Sequence, residues 1–230
     1  MSDHLFDSTQ ALDSALAIAI AARLSAAIER EGEAWLVVSG GRTPLGLFAA
    51  LAAQPLDWSR VVVTLADERW VDSDHPDSNA RLVCEHLLVG AASAAKWLPL
   101  AMTEQSLEDA VSELDDRLMR APRFAAVVLG MGEDGHTASL FPLSDQLDSG
   151  LSMNSGRSCI AADPVTAPHW RVSMTLPRLL DCDEIFLHIV GPNKRRVLAA
   201  ARAGDDLREM PVRALLRQSS APLSVYWSDS

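Results

Sequence analysis

The stretch from Gly130 to Pro142 reads GMGEDGHTASLFP and follows directly on the apolar run FAAVVL. A buried strand that runs into glycines, two acids and a histidine is a place where the chain turns sharply and presents Asp134 and His136 at a sheet edge. Histidine is the one side chain whose ordinary pKa lies near neutrality, so His136 is the residue here able to accept a proton from water at pH 7. A helix N-terminus beside the ring would disfavour the imidazolium and keep it a base. The same letters match G-x-G-x-x-G, the dinucleotide fingerprint, but that pattern needs a full helix next and an acid about 20 residues further on, at the end of a second strand. Here Pro142 follows closely and the chain beyond it is irregular, so the cofactor reading is weak.

Three other places carry chemistry. In SGGRTP, residues Ser39, Gly40 and Gly41 leave backbone N–H groups free to approach an anion and Thr43 adds a hydroxyl. The helix expected next offers its positive end. A phosphate suits this loop and so does an ordinary tight turn; the Gly-Lys-Ser/Thr ending of a Walker loop is missing. In ADERW, two acids and Arg69 stand after VVVTL, as an exposed ion pair or as part of a site. The DSDHPDSN that follows has acids at alternate positions but lacks the glycine and terminal glutamate of a calcium loop. No metal is expected there, only a solvated loop that caps a helix starting near Ser78. Arg171 in HWRVSMT and Lys194 in GPNKRR read singly as solvated charges. Together with SGGRTP they would close a phosphate pocket, Arg through two parallel N–H groups and Lys as a point charge.

Elements must bring these places together. Leu12, Leu16, Ile20, Leu24 and Ile28 recur every four residues after DST, an amphipathic first helix with a capped start. AWLVV, RVVVTL, FAAVVL, EIFLHIV and PLSVYWS read as strands; TPLGLFAALAA, NARLVCEHLL, SLEDAVSELDDRLMR and NKRRVLAAARA read as helices between them. Continuously apolar strands alternating with helices predict an α/β fold, one domain over residues 1–230, with a mostly parallel, Rossmann-like sheet and helices on both faces. The stretch from Ser144 to Pro168 reads as a surface excursion with a short strand around SCIAA. In such sheets ligands bind beyond the carboxyl ends of the strands, where all four motifs fall.

Bulk properties narrow the classes. The 230 residues are 48% hydrophobic, enough for one sizeable core, and carry a formal net charge of -11, which argues against nucleic acid or an anionic membrane as partner. An anionic ligand must then be held by a local basic cluster. Cys84, Cys159 and Cys182 form no C-x-x-C pair and read as reduced thiols of a cytosolic protein. No run of about 18 apolar residues suggests a membrane span, and MSDHLFDSTQ has neither the basic nor the apolar region of a signal peptide, so a cytoplasmic location is expected.

In this order, SGGRTP, DERWV with Ser78-Asn79, GMGEDGHTASLFP, RVSMT and GPNK resemble the 6-phosphogluconolactonase family over about Ser39 to Lys194. The DGHTASLFP block is highly specific and the rest are weak alone. Asp72 stands where many members have Pro, and Ser173 where Thr is common. The resemblance implies hydrolysis of 6-phospho-D-glucono-1,5-lactone, in the oxidative pentose phosphate pathway, without metal or organic cofactor. It also implies an architecture similar to glucosamine-6-phosphate deaminase and ribose-5-phosphate isomerase. Carried over by position, His136 is the general base, Asp134 orients it or the sugar, and Arg69 is a cation near the lactone. Ser39, Gly40, Gly41 and Thr43 line the phosphate site with Arg171 and Lys194 as its charges, and Asn79 shapes the Arg69 loop. The expected partner is the sugar phosphate alone, and the protein is expected to be a monomer or weak homodimer. The rival enzyme, a deaminase or isomerase, resembles this family at the DGH block but places an acid shortly after it, where this chain has TASLFP. A sugar-phosphate sensor is the rival from another class; it would have no need of a base.

Overall fold

A computed structural model describes every residue except Met102 and Thr166, the latter within the Ser144 to Pro168 excursion. Strand β1 (Ser2–Phe6) leads into α1 (Thr9–Glu31), β2 (Ala34–Val38) and α2 (Leu45–Ala52). Then come β3 (Val61–Leu65), β4 (Asp67–Arg69), α3 (Asn79–His86), β5 (Lys96–Leu98), α4 (Leu107–Arg120) and β6 (Ala126–Leu129). The last part holds α5 (Leu147–Leu151), β7 (Cys159–Ala162), β8 (Arg171–Met174), α6 (Leu176–Leu180), β9 (Ile185–Val190), α7 (Pro192–Ala203), α8 (Val212–Arg217) and β10 (Leu223–Ser228).

Local chemistry explains the helix ends. The Ser8 hydroxyl accepts from the Ala11 N–H to start α1, and Gly32 ends it in the left-handed region at φ 83°, its N–H reaching the Ile28 carbonyl. Leu12, Leu16, Ile20 and Leu24 are fully buried, as their spacing predicts, and Ile28 packs at the edge of the core. One expectation needs correction: α1 is long and apolar enough to cross a membrane by length and composition. Leu12, Leu16, Ile20 and Leu24 are buried in the core, and alanines and Ile18 fill the flanking positions and leave few charges to interrupt the run.

Seven strands form a parallel sheet in the order β1-β10-β9-β6-β2-β3-β5. The runs of β2, β3, β6 and β9 lie at its centre and are nearly all buried, which is why they read as largely apolar stretches rather than alternating ones, with Thr64 and His188 as the polar breaks. From β2 the chain builds outward through β3 and β5, then returns to the other side of β2 with β6. The boundary between β2 and β6 is therefore the topological switch point, where loops diverge and open a crevice.

Two features differ from the sequence expectation. The acids and arginine expected just beyond the RVVVTL strand are themselves strand residues: after Ala66 the chain enters β4, which joins β8 and β7 in a separate antiparallel sheet. Ala66 links the two sheets, its N–H donating to the Val38 carbonyl and its carbonyl accepting from Met174. The N-terminal strand was also not expected. SDHLF is mostly exposed, and only its pairing with β10, with His4 stacked on Tyr226 at 4.6 Å, makes it a strand. The short strand around SCIAA is present as β7.

Candidate active site

The loops after β2, β6 and β9, together with β4, surround a cavity of about 390 Å3 at the switch point. Ser39, Gly40, Gly41, Thr43, Arg69, Asn79, His136 and Lys194 all line it, so residues up to 155 positions apart in the chain share one crevice.

After β6 the chain turns back on itself. Gly132 N–H donates to the His136 carbonyl, Gly135 sits in the left-handed region at φ 79°, and the Thr137 hydroxyl donates to the Gly130 carbonyl. His136 Nδ1 lies 2.6 Å from Asp134 Oδ1, which also accepts the His136 backbone N–H at 3.1 Å. With Nδ1–H donating to Asp134, the lone pair stays on Nε2, which has no hydrogen-bond partner among the described residues. Burial alone would push the Asp134 carboxyl up, but the bond and charge of His136 outweigh it and hold Asp134 below the usual carboxylate range. The Phe141 ring lies 4.5 Å from the imidazole and supports its other side. An alanine Cβ at Gly132 would fall 2.1 Å from His136 Nδ1, so the pair can form only over a glycine. Ala138 is held at φ 47°, backbone strain at the heart of the block.

No helix follows His136 directly. Instead the start of α8, from the far end of the chain, docks on this turn through the Val212 N–H to the Gly135 carbonyl.

The SGGRTP loop is open to an anion. Among the described residues, the backbone N–H groups of Gly40, Gly41, Arg42 and Thr43 donate to no protein acceptor. The Ser39 hydroxyl oxygen is buried without a partner, and α2 begins immediately beyond Pro44. Gly40 is pressed against Asn79, whose Oδ1 would lie 1.9 Å from an added Cβ; Asn79 Nδ2 in turn donates to the Asp67 carbonyl. Asn79 thus ties the anion loop to β4. Lys194 enters from the start of α7 and donates to the Met131 carbonyl. Burial lowers its pKa, against the opposing pull of Glu133 and Asp134.

Among the described residues, the acids of ADERW pair with no arginine. Glu68 is fully buried and accepts the backbone N–H groups of Arg69, Asn79 and Ala80, capping α3 together with Ser78. Burial raises its pKa in spite of those donors. Asp67 accepts from the Ser139 hydroxyl at 2.6 Å, and Ser139 N–H donates to Ser173, so the DGHTAS block is bolted to β4 and β8. Arg69 is left facing the cavity, with Nη1 on the Asp77 carbonyl.

Arg171 differs from its expected place. It is 6% exposed, stands opposite Arg69 on the β4–β8 ladder and is absent from the cavity lining. Burial first, and then the neighbouring Arg69, lower its pKa. The cations that line the cavity are Arg42, Arg69 and Lys194. Asp134 is likewise outside the lining, behind the ring it holds.

A profile described as glucosamine-6-phosphate isomerases/6-phosphogluconolactonase matches residues 7–227. The chain belongs to that family. A 6-phosphogluconolactonase of Pseudomonas putida is 46% identical over 224 residues, 97% of this chain and 91% of the relative. A crystal structure of a 6-phosphogluconolactonase from Shewanella baltica OS155 superposes with a TM-score of 0.95 at 44% identity, covering 99% and 97% of the two chains. A monomeric glucosamine-6-phosphate deaminase shares the fold at a TM-score of 0.80 and 18% identity, covering 99% of this chain and 97% of its own.

Sequence reasoning missed other residues of this cavity. His188 on β9 lines the cavity, and its Nε2 lies 3.2 Å from Asp13 Oδ1 of α1, near enough for an ion pair though misaligned for a hydrogen bond. A polar pair inside two otherwise apolar runs, EIFLHIV and the α1 stripe, was the available signal. Arg42, in SGGRTP, lines the cavity in the role expected of Arg171. Cys159 and Cys182 are buried, with thiols pushed up to about 12, which leaves them unsuited to nucleophilic chemistry.

Proposed function

We infer that this chain is a 6-phosphogluconolactonase in which His136 acts as the general base. Water held at Nε2 attacks the C1 carbonyl of 6-phospho-D-glucono-1,5-lactone while the imidazole takes its proton. The tetrahedral oxyanion collapses, the bond from C1 to the ring oxygen breaks, and the imidazolium returns a proton to that oxygen to give 6-phosphogluconate. Asp134 holds the ring tautomer and offsets the transient positive charge. Arg69 faces the same space as a donor for the oxyanion.

The phosphate end is assigned to the N–H groups and hydroxyls of Ser39–Thr43, with Lys194 and Arg42 as cations in contact. Arg171 adds positive potential across the ladder from Arg69, and Asn79 holds the loop in register. Gripping the remote phosphate orients the ring against the base, so a lactone without it should react more slowly as well as bind more weakly. The proposed setting is the cytoplasm, with the sugar phosphate as partner, monomer or weak homodimer as assembly, and no metal or organic cofactor in the reaction.

The observation that carries this reading is the pairing of Nδ1 with Asp134, which leaves Nε2 unpaired in the same cavity as four free backbone N–H groups. Because such lactones also open unaided in water, the test is a stopped-time assay of freshly made lactone with wild type, His136→Ala and buffer alone. His136→Ala should lose about 10²–10⁴-fold in kcat while binding 6-phosphogluconate normally in calorimetry. Undiminished hydrolysis would remove His136 from the mechanism.

A further inference from the structure

Among the described residues, one cluster of side chains outside the catalytic cavity has the composition and spacing of a metal site. His75 and Asp77 come from the DSDHPDSN loop between β4 and α3, whose own spacing suggests no metal, and the third member, His169, comes from the segment just before β8, 92 positions beyond Asp77. One potential ligand atom from each lies within 4.8 Å of the others. His169 Nε2 is 3.1 Å from Asp77 Oδ2, and His75 Nδ1 is 4.0 Å from the same oxygen. The two imidazoles meet edge to face with centroids 5.3 Å apart. We propose that His75, Asp77 and His169 bind one divalent transition-metal ion of the zinc class at the rim of the active site.

The geometry sets the ion. Bonds of about 2.0–2.2 Å in tetrahedral coordination place ligand atoms roughly 3.3 Å apart. One pair already has this spacing, and the others need partly exposed side chains to close by about 1 Å. Two imidazoles and one carboxylate suit zinc, copper, nickel or cobalt, whereas calcium and magnesium require oxygen ligands. Three protein ligands leave a fourth position for solvent. His75 Nδ1 accepts the Asp77 backbone N–H and His169 Nε2 is hydrogen-bonded to Asp77 Oδ2, so coordination replaces both of these bonds.

The backbone holds the three together without the ion. Trp70 N–H donates to the Trp170 carbonyl, joining the two segments next to the cluster, and the turns at Asp72–His75 and His75–Ser78 are closed by backbone bonds. His169 is held at φ 68°, a conformation that side chains rarely adopt, and in it the ring reaches Asp77. Arg69, on the Asp77 carbonyl, opposes a cation, while Asp72 and Asp74 in the same loop favour one. Because Asp77 carries both the proposed ligand and the acceptor for Arg69, occupancy would stiffen the rim without entering the hydrolytic step.

The test uses chelator-washed full-length protein titrated with zinc chloride in phosphate-free buffer by calorimetry. One equivalent should bind, with affinity reduced about tenfold or more in both His169→Ala and Asp77→Asn. His136→Ala and Cys84→Ser should bind as wild type does. Cobalt(II) loaded into the wild type should give the absorption of a nitrogen and oxygen tetrahedral site, with no thiolate charge-transfer band, a readout independent of whether any variant folds. Absence of binding, undiminished affinity in His169→Ala, loss in His136→Ala or Cys84→Ser, or a thiolate band would each overturn the assignment. None of these outcomes depends on lactone turnover, so this proposal and the lactonase reading fail separately.

Discussion

Replacing Gly132 by alanine tests the geometry of the base without touching a functional group. Gly132 does not occupy the left-handed region, so its backbone accepts alanine without strain. The new methyl carbon would nevertheless lie 2.1 Å from His136 Nδ1, 2.3 Å from Cε1 and 2.4 Å from Asp134 Oδ1. Non-bonded carbon does not approach nitrogen or oxygen closer than about 3 Å, so the ring, the carboxylate or both must move by roughly 1 Å. A displacement of that size at a reacting group costs on the order of 10²-fold in rate, or about 2.7 kcal/mol of transition-state stabilisation. The three atoms nearest the added methyl all belong to His136 and Asp134, so the loss should appear in kcat, with the affinity for 6-phosphogluconate unchanged. The assay is initial-rate hydrolysis of fresh lactone, corrected for the buffer reaction, beside product titration and a thermal melt to establish folding. A folded Gly132→Ala enzyme with kcat within about threefold of wild type would refute the claim that the Asp134–His136 pairing positions the base.

Two further outcomes follow from charge. Asp134 is held below the usual carboxylate range, so it stays ionised while a histidine base protonates; the acid limb of log kcat/KM should therefore have a slope of one proton, and a slope of two would show both groups titrating together. Lys194 has a lowered pKa, so as pH rises it loses its charge before an ordinary lysine does. Affinity for 6-phosphogluconate should fall on the alkaline side below about pH 10.4, and Lys194→Arg should flatten that fall; an identical profile in the arginine variant would place the phosphate away from Lys194.

The α/β class and the central strands were legible from the sequence because burial on both faces demands largely apolar runs, and four such runs end in motifs. The caps at Ser8 and Ser78 were legible because capping is a local hydrogen bond between residues a few positions apart. The block around His136 could be singled out on residue type alone, since only a histidine there can serve as a base near neutral pH.

What the tertiary structure decided are the properties that depend on partners far along the chain. Glu68 looks like half of a surface ion pair until folding buries it over the start of α3, and SDHLF becomes a strand only because β10 offers an edge. Arg171 and Arg42 are equally basic on paper, yet the register of β4 with β8 buries the first outside the cavity and leaves the second on its wall. His188 meets Asp13, and His169 meets Asp77, across separations that no local pattern encodes. A residue's type and its near neighbours set which protons and charges it can carry; whether those reach a substrate, another side chain or the interior is decided by which strands lie side by side.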